Sequence, residues 1–214
     1  MYRCPDGWPL TSYIINTLVD KHEYKSFLEI GISSGNTHRY VRNDILKNGV
    51  DLHGGDPSKP DVASFITYHM SSDEYFANHV ERNYDIIFID GDHCEEQVTK
   101  DLYNSLKILN PGGTIMMHDS KPFTELMQRC PQPEEVSHGG MWTGTVWKSV
   151  TRFRSKETNY KIYTLPCDVG ITIVQEGSNE PITIPEDLTY EWYLTNQEYA
   201  LNLIHDEQAF FEML

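Results

Sequence analysis

Four carboxylates in this 214-residue chain each follow a short run that reads as strand: Glu29, Asp56, Asp90 and Asp119. Two histidines accompany the last two, His93 just after Asp90 and His118 directly before Asp119. Histidine is the side chain best suited to proton transfer near neutral pH. Asp90, His118 and Asp119 form an oxygen, nitrogen, oxygen set of the kind that can hold a divalent cation. Glu29 opens an acid-x-Gly-x-x-x-Gly pattern through Gly31, Ser33 and Gly35. Glycines there let the backbone approach a ligand closely, and a helix start beyond them offers free N–H groups with a partial positive charge. Asp56 follows that loop by about 20 residues, the usual distance for gripping a ribose hydroxyl in a strand–helix–strand nucleotide unit.

These residues need a frame that brings strand ends together. The run 27–30, its glycine turn and a helix over 37–47 ended by Asn48-Gly49 read as the first strand–loop–helix unit. A second strand ends at Asp56, where Pro57 prevents continuation, and a third short strand is expected near 66–70. Ser72 or Asp73 caps the next helix. The apolar run 86–89 suits a parallel strand buried on both faces. A helix over 95–109 stops at Asn110-Pro111-Gly112-Gly113, and the strand 114–117 follows. A helix over 9–24 precedes this core. A helix over 145–154, two β-rich runs at 160–165 and 169–174, and an acidic, aromatic, helical tail over 188–214 come after it. The pattern predicts an α/β, doubly wound, Rossmann-like sheet of seven strands, mostly parallel with an antiparallel edge strand. It is read as a single domain over 1–176, with 177–214 as a C-terminal extension packed on it. Ligands bind such sheets at the carboxyl ends of the strands, where the four acids fall.

Lysine plus arginine number 17 and aspartate plus glutamate 32, so the net charge is −15. That surface repels polyanions and argues against a nucleic-acid partner or an anionic membrane surface. Cys4, Cys94, Cys130 and Cys167 are scattered without a CxxC pair and read as reduced thiols of a cytoplasmic protein. No stretch reaches the roughly 20 apolar residues of a membrane span. Whether the chain forms a homo-oligomer is left open by its sequence.

FLEIGISSG at 27–35 and VDLHGGDPS at 50–58 together resemble the first two motifs of class I S-adenosylmethionine-dependent methyltransferases. FIDGDH, LNPGG and HD, in that order, resemble the group called methyltransferase 24, related to sugar and macrolide O-methyltransferases. GGMWTGTVWKSVTRFR and LTYEWYLTNQEYALNLI resemble segments of relatives linked to glycan biosynthesis. The resemblance implies a cofactor, S-adenosylmethionine, with Glu29, Gly31, Ser33 and Gly35 at its methionine part. Asp56 would take its ribose hydroxyls, Ser72 and Asp73 the adenine side, and Asp90 its amino group or a metal. The implied acceptor is a small molecule or glycan precursor with a hydroxyl to methylate. Trp142, Trp147 and Lys148 form a candidate sugar platform, although Trp147 has the helical spacing of a core residue, and His138 is a candidate lid residue.

A sugar hydroxyl is a poor nucleophile at neutral pH and needs a base, a metal or both. His93, His118 and Asp119 are the catalytic candidates. Metal-dependent sugar-methylating relatives carry two acids where this chain has His118 and Asp119, and catechol-type relatives carry Asn where it has Ser120. The reading therefore leans to a metal-free histidine base, with Mg²⁺ or another divalent cation on Asp90, His118 and Asp119 as the alternative. A nicotinamide-dependent oxidoreductase is the competing activity, opposed by the missing GxGxxG and Tyr-x-x-x-Lys patterns. A non-catalytic binding module is the third reading, opposed by the intact cofactor motifs. An adenine N6-methylase lacks its Pro-Pro-aromatic motif here, and Cys167 is misplaced for a cytosine C5 nucleophile.

Overall fold

The computed structural model describes residues 7–56, 58–137 and 140–214. The expectations at Cys4, Pro57 and His138 lie outside the described residues. The elements run α1 (Leu10–His22), β1 (Ser26–Ile30), α2 (Asn36–Tyr40), β2 (Leu46–Val50), a 3-10 turn (Val62–Phe65), α3 (Ser72–Asn78) and β3 (Tyr84–Ile89). They continue with α4 (Glu95–Lys107), β4 (Leu109–Met117), α5 (Glu134–Ser137), α6 (Val146–Lys156), β5 (Tyr160–Leu165), β6 (Ile171–Glu176), α7 (Tyr190–Leu201) and α8 (Glu207–Met213).

The sheet order is β2-β1-β3-β4-β6-β5. The first four strands are parallel, β6 runs antiparallel to β4, and β5 antiparallel to β6. Alternation along the central strands divides the core in two. Leu28, Ile30, Ile87, Ile89 and Ile115 pack with Leu102 of α4 and Trp147 of α6. Phe27, Ile86, Phe88 and Met116 pack with Ile14 and Leu18 of α1 and with Phe210 and Phe211 of α8. Both faces of the middle strands are thus covered, which is why they read as continuous apolar runs. Trp147 is fully buried against Tyr193 of α7, ring centroids 4.6 Å apart, so it is core and no sugar platform.

Among the described residues six strands form instead of seven. The strand expected at 66–70 is reduced to a single bridge between Val50 and Tyr68. The first crossover helix is also shorter than its periodicity suggests. Arg42 N–H turns to the Asn16 side chain, and Lys47 Nζ donates to the carbonyls of His38 and Val41. Residues 46–50 then pair with β1. Asn48-Gly49 is therefore strand and no helix stop. Gly49 is required there, because an added Cβ would lie 2.4 Å from the Phe65 carbonyl oxygen. Likewise 109–113 begins β4, across a register shift opposite Tyr84 and Ile86. Ser71, one residue before the expected caps, accepts from Glu74 N–H at the start of α3.

Two of the four cysteines depart from the expected scattered thiols: Cys94 and Cys130 are joined in a disulfide, while Cys167 is free and exposed. The chain between β4 and α6 returns across the start of α4, a proximity that linear spacing does not reveal. Among the described residues, no helix is long and apolar enough to cross a membrane.

Candidate functional site

Strand order reverses between β1 and β3, and the loops leaving these two strands border a cavity of about 650 Å³. This is the topological switch point at which such sheets bind ligands. The two loops touch backbone to backbone. Gly31 has φ +89°, and a Cβ there would sit 2.2 Å from the Asp90 carbonyl oxygen. Gly31 is thus fixed by the neighbouring loop, and the space beside it is not reserved for ligand alone.

Asp51, the first residue after β2, fastens the glycine loop. Its Oδ2 accepts from Ile32 N–H and Ser33 N–H, each at 2.9 Å, and its Oδ1 from His53 N–H at 2.7 Å. Burial raises the Asp51 pKa, but hydrogen bonds from the Ser33, His53, Ile32 and Gly55 backbones outweigh it and hold the carboxyl below its ordinary range. Sequence reading missed Asp51 because it placed the strand end later. Asp56 lies in the loop beyond, tied by its N–H to the Ser33 carbonyl at 2.8 Å, and it lines the same cavity with Asp51.

Glu29 and Gly35 do not line this cavity. Glu29 is buried and meets His38 Nδ1 at 2.9 Å. Burial, followed by the Asp90 charge, drives Glu29 well above the ordinary carboxylate range, and burial followed by the Lys47 charge lowers His38 to about 4. Both shifts favour the neutral forms of this buried pair. Gly35 precedes α2, where an added Cβ would press on the Phe65 ring at 2.9 Å.

On the far wall, Ser72 and Asp73 line the cavity beside Ser71. Gln97 Nε2 donates to Ser72 Oγ, Asp73 Oδ1 and Asp101 Oδ1 at 3.0–3.1 Å. Asp101 is buried and lifted to about 6 by burial, and its Oδ2 has no hydrogen-bond partner among the described residues. Gln97 and Asp101 are the third and seventh residues of α4, a helix whose periodicity reads as ordinary packing, so no local signal marked them.

At the ends of β3 and β4 the expected residues converge. His93 Nε2 lies 3.3 Å from Asp119 Oδ2 and 3.7 Å from Asp90 Oδ1. His118 Nδ1 lies 3.2 Å from Asp90 Oδ1 and 3.4 Å from Asp119 Oδ2. Asp119 is held at φ +57°, a left-handed conformation uncommon for a non-glycine residue. Ser120 N–H donates to Gly170 O and Lys121 N–H to Val169 O, which pins this loop to the β5–β6 turn. That turn brings in Asp168, whose Oδ2 is 3.5 Å from His118 Nε2. No motif marked Asp168.

Burial lowers His93, but the hydrogen bond to Asp90 and the charges of Asp119 and Asp90 outweigh it and raise its pKa. Burial likewise opposes His118, which Asp90, Asp119 and Asp168 together drive far above the ordinary imidazole value. Burial would raise Asp90; His118 and His93 hold it well below the carboxylate range. His93 Nδ1 meets the Trp142 carbonyl at 3.1 Å, and its ring stacks on the indole with centroids 4.8 Å apart. Thr145 N–H donates to the His93 carbonyl at 2.7 Å. Of the expected metal set, the compact group is Asp90, His93 and Asp119, whose ligand atoms all lie within 4.8 Å of one another; His93 takes the place expected for His118.

The family model described as a methyltransferase domain matches residues 28–120. No curated protein matches the chain by sequence. Among solved structures, a proposed caffeoyl-CoA O-methyltransferase from Staphylococcus aureus is similar at 18% identity and TM-score 0.59, covering 81% of this chain and 86% of that one. An O-methyltransferase from Bacillus cereus in complex with SAH is similar at 15% identity and TM-score 0.54, covering 82% and 84%. A proposed O-methyltransferase from Klebsiella pneumoniae is similar at 17% identity and TM-score 0.58, covering 81% and 84%. Over residues 28–120 the chain matches the methyltransferase-domain model, and its fold is that of the O-methyltransferase structures named above.

Proposed function

We propose that the chain transfers the methyl group of S-adenosylmethionine to a hydroxyl oxygen of a small acceptor, a sugar or glycan precursor. The observation that carries this reading is the convergence of Asp90, His93, His118 and Asp119 beside a cavity lined, among the described residues, by Asp51, Asp56, Asp73, Asp90, Asp92 and Asp101 and by no lysine or arginine. A sulfonium and an ammonium are cations and ribose presents hydroxyl donors, so carboxylates suit all three. A dinucleotide would bring a pyrophosphate against six acids, which counts against the nicotinamide reading.

Asp56 is assigned to the ribose hydroxyls, Ser72 and Asp73 with Asp101 behind them to the adenine edge, and Asp90 to the amino group. The bound cofactor supplies an electrophilic methyl on sulfur. The chain orients the acceptor hydroxyl and removes its proton, and orientation carries much of the rate in an in-line displacement. With Nδ1 donating to the Trp142 carbonyl, His93 exchanges its proton at Nε2. Once deprotonated there it accepts the hydroxyl proton, and Asp119 stabilises the imidazolium that forms. Trp142 gives the ring a fixed plane.

Asp90, His93 and Asp119 also fit a divalent cation by donor type and spacing, and a cation there would supply Lewis-acid polarisation of the acceptor hydroxyl. The metal-free reading is favoured by donor type: hard, oxygen-preferring cations favour carboxylates, and an imidazole supplies one of the three donors here.

Calorimetric titration with S-adenosylhomocysteine beside NADH tests the cofactor, and transfer of a labelled methyl group to hydroxylated acceptors tests the reaction. Binding of NADH alone would sink the reading. Cofactor binding with no transfer to any hydroxyl would favour a non-catalytic module.

A further inference from the structure

We propose that the acceptor carries an anionic group, a phosphate or a carboxylate, bound by Arg129 and Lys148 in a groove beside the methyl-transfer site. This rests on the O-methylation reading above. The groove has a volume of about 520 Å³ and is walled by Gln128, Gln132 and Thr145 as well as the two cations. No aspartate or glutamate among the described residues lines it, although the chain has 32 acids against 17 bases. The cofactor cavity has the opposite character: the described residues that line it include six acids and no lysine or arginine. The two spaces share Pro131 and Gln132 as a common wall.

Neither cation is spent on a salt bridge among the described residues; the lysine and arginine ion pairs there belong to Arg39, Arg42, Lys100 and Arg152. Lys148 Nζ lies 5.6 Å from the centre of the buried Trp147 ring and has no carboxylate partner among the described residues. On a chain of net charge −15, an unpaired pair of cations with no acid between them is the local exception that draws in an anion.

The groove is also tied to the base. The Arg129 carbonyl accepts from Trp142 Nε1 at 2.7 Å, and Trp142 stacks on His93. Thr145, in the groove wall, donates its N–H to the His93 carbonyl and accepts Glu95 N–H on Oγ1, both at 2.7 Å. The disulfide joins Cys94 of the cofactor cavity to Cys130 of the groove. An acceptor with its hydroxyl at His93 and its anionic group beyond the Pro131–Gln132 wall would engage both spaces.

The test uses the full chain and the double variant Arg129→Ala/Lys148→Ala. Inorganic pyrophosphate is titrated calorimetrically into each at fixed ionic strength, with S-adenosylhomocysteine binding and thermal melting as controls for the fold. Wild type should bind pyrophosphate, and the variant should bind it at least about tenfold more weakly, as expected when two charge-assisted contacts are removed. Absent binding in wild type, or equal binding in both, overturns the proposal. Methyl transfer is then compared on glucose, glucose 1-phosphate and glucuronate. The charged acceptors should exceed glucose in kcat/KM, the variant should lose that advantage through KM, and the better charged acceptor identifies phosphate or carboxylate as the group. Preference for glucose overturns the proposal. Failure to bind S-adenosylhomocysteine would instead sink the methyltransfer reading, a result separate from the pyrophosphate titration.

Discussion

His93 and Asp119 face each other at 3.3 Å, Nε2 to Oδ2, while the indole of Trp142 stacks on the same imidazole. The carboxylates around His93 raise its pKa despite its burial, so its imidazolium persists to higher pH than that of an ordinary histidine. A base must be neutral to accept a proton. Activity should therefore be lost as pH falls through the folded His93 pKa and gained as pH rises through it. We expect kcat/KM to climb with a midpoint above about 6.5, the ordinary histidine value. Asp119→Asn removes one of the stabilising charges, so its midpoint should move down while its maximal rate falls by about 10²–10⁴-fold, the range of general-base contributions. A wild-type midpoint at or below the ordinary value would remove His93 as the base.

Chelation tests the donor argument. The compact set of Asp90, His93 and Asp119 offers two carboxylates and one imidazole, where a hard divalent cation favours oxygen donors. We expect turnover to survive exhaustive dialysis against EDTA. Loss of turnover that Mg²⁺ or Mn²⁺ restores would show that Asp90, His93 and Asp119 hold a cation during catalysis.

The sequence made the central frame legible because parallel strands covered on both faces leave continuous apolar runs, as at 86–89. It also placed Asp90, His93, His118 and Asp119 together, since each directly ends or follows such a run. It misplaced β2 because 37–47 has helical periodicity while the deciding interactions, Lys47 to the α2 carbonyls and Gly49 against Phe65, are tertiary. That error hid Asp51. Asp168, Asp101 and the Cys94–Cys130 pairing were invisible for the same reason: each depends on a chain crossing that no local pattern records.

Asp51 and Asp56 are separable by mutation. Asp51→Ala leaves the Ile32, Ser33 and His53 N–H groups without their acceptor, so it should lower stability by about 1–3 kcal/mol and weaken S-adenosylhomocysteine with it. Asp56→Ala should weaken the ligand by about 1–3 kcal/mol while melting stays near wild type. Ligand affinity unchanged in Asp56→Ala would take Asp56 out of the site.

A glycine that only left room for ligand could be enlarged without loss of the fold. The 2.2 Å approach to the Asp90 carbonyl makes Gly31 different, because even a methyl group meets backbone there. Gly31→Ala should destabilise the protein by several kcal/mol, on the order of 3–5, through steric overlap added to a positive-φ strain. A normally melting Gly31→Ala protein would contradict the backbone contact.

Glu29 offers the sharpest contrast between motif and structure. Its position in the glycine motif implies a cofactor role, yet it is buried against His38 and does not line the cavity. Its folded pKa is raised, so the folded state keeps a proton that the unfolded chain releases above the ordinary carboxylate value of about 4.3. That contribution is full at acid pH and declines as pH rises. His38 runs the other way: its pKa falls to about 4, so acidification below the ordinary value favours the unfolded chain until pH reaches the folded value. Glu29→Gln keeps a donor for the His38 nitrogen and removes the ionisable group. It should melt at or above wild type at alkaline pH and leave S-adenosylhomocysteine affinity unchanged. His38→Ala leaves Glu29 buried without its partner and should cost about 1–3 kcal/mol. Thermal melting at several pH values with ligand calorimetry reads both. If Glu29→Gln loses ligand affinity while its melting is unaltered, Glu29 is a cofactor ligand after all, and its pairing with His38 must open when the cofactor binds.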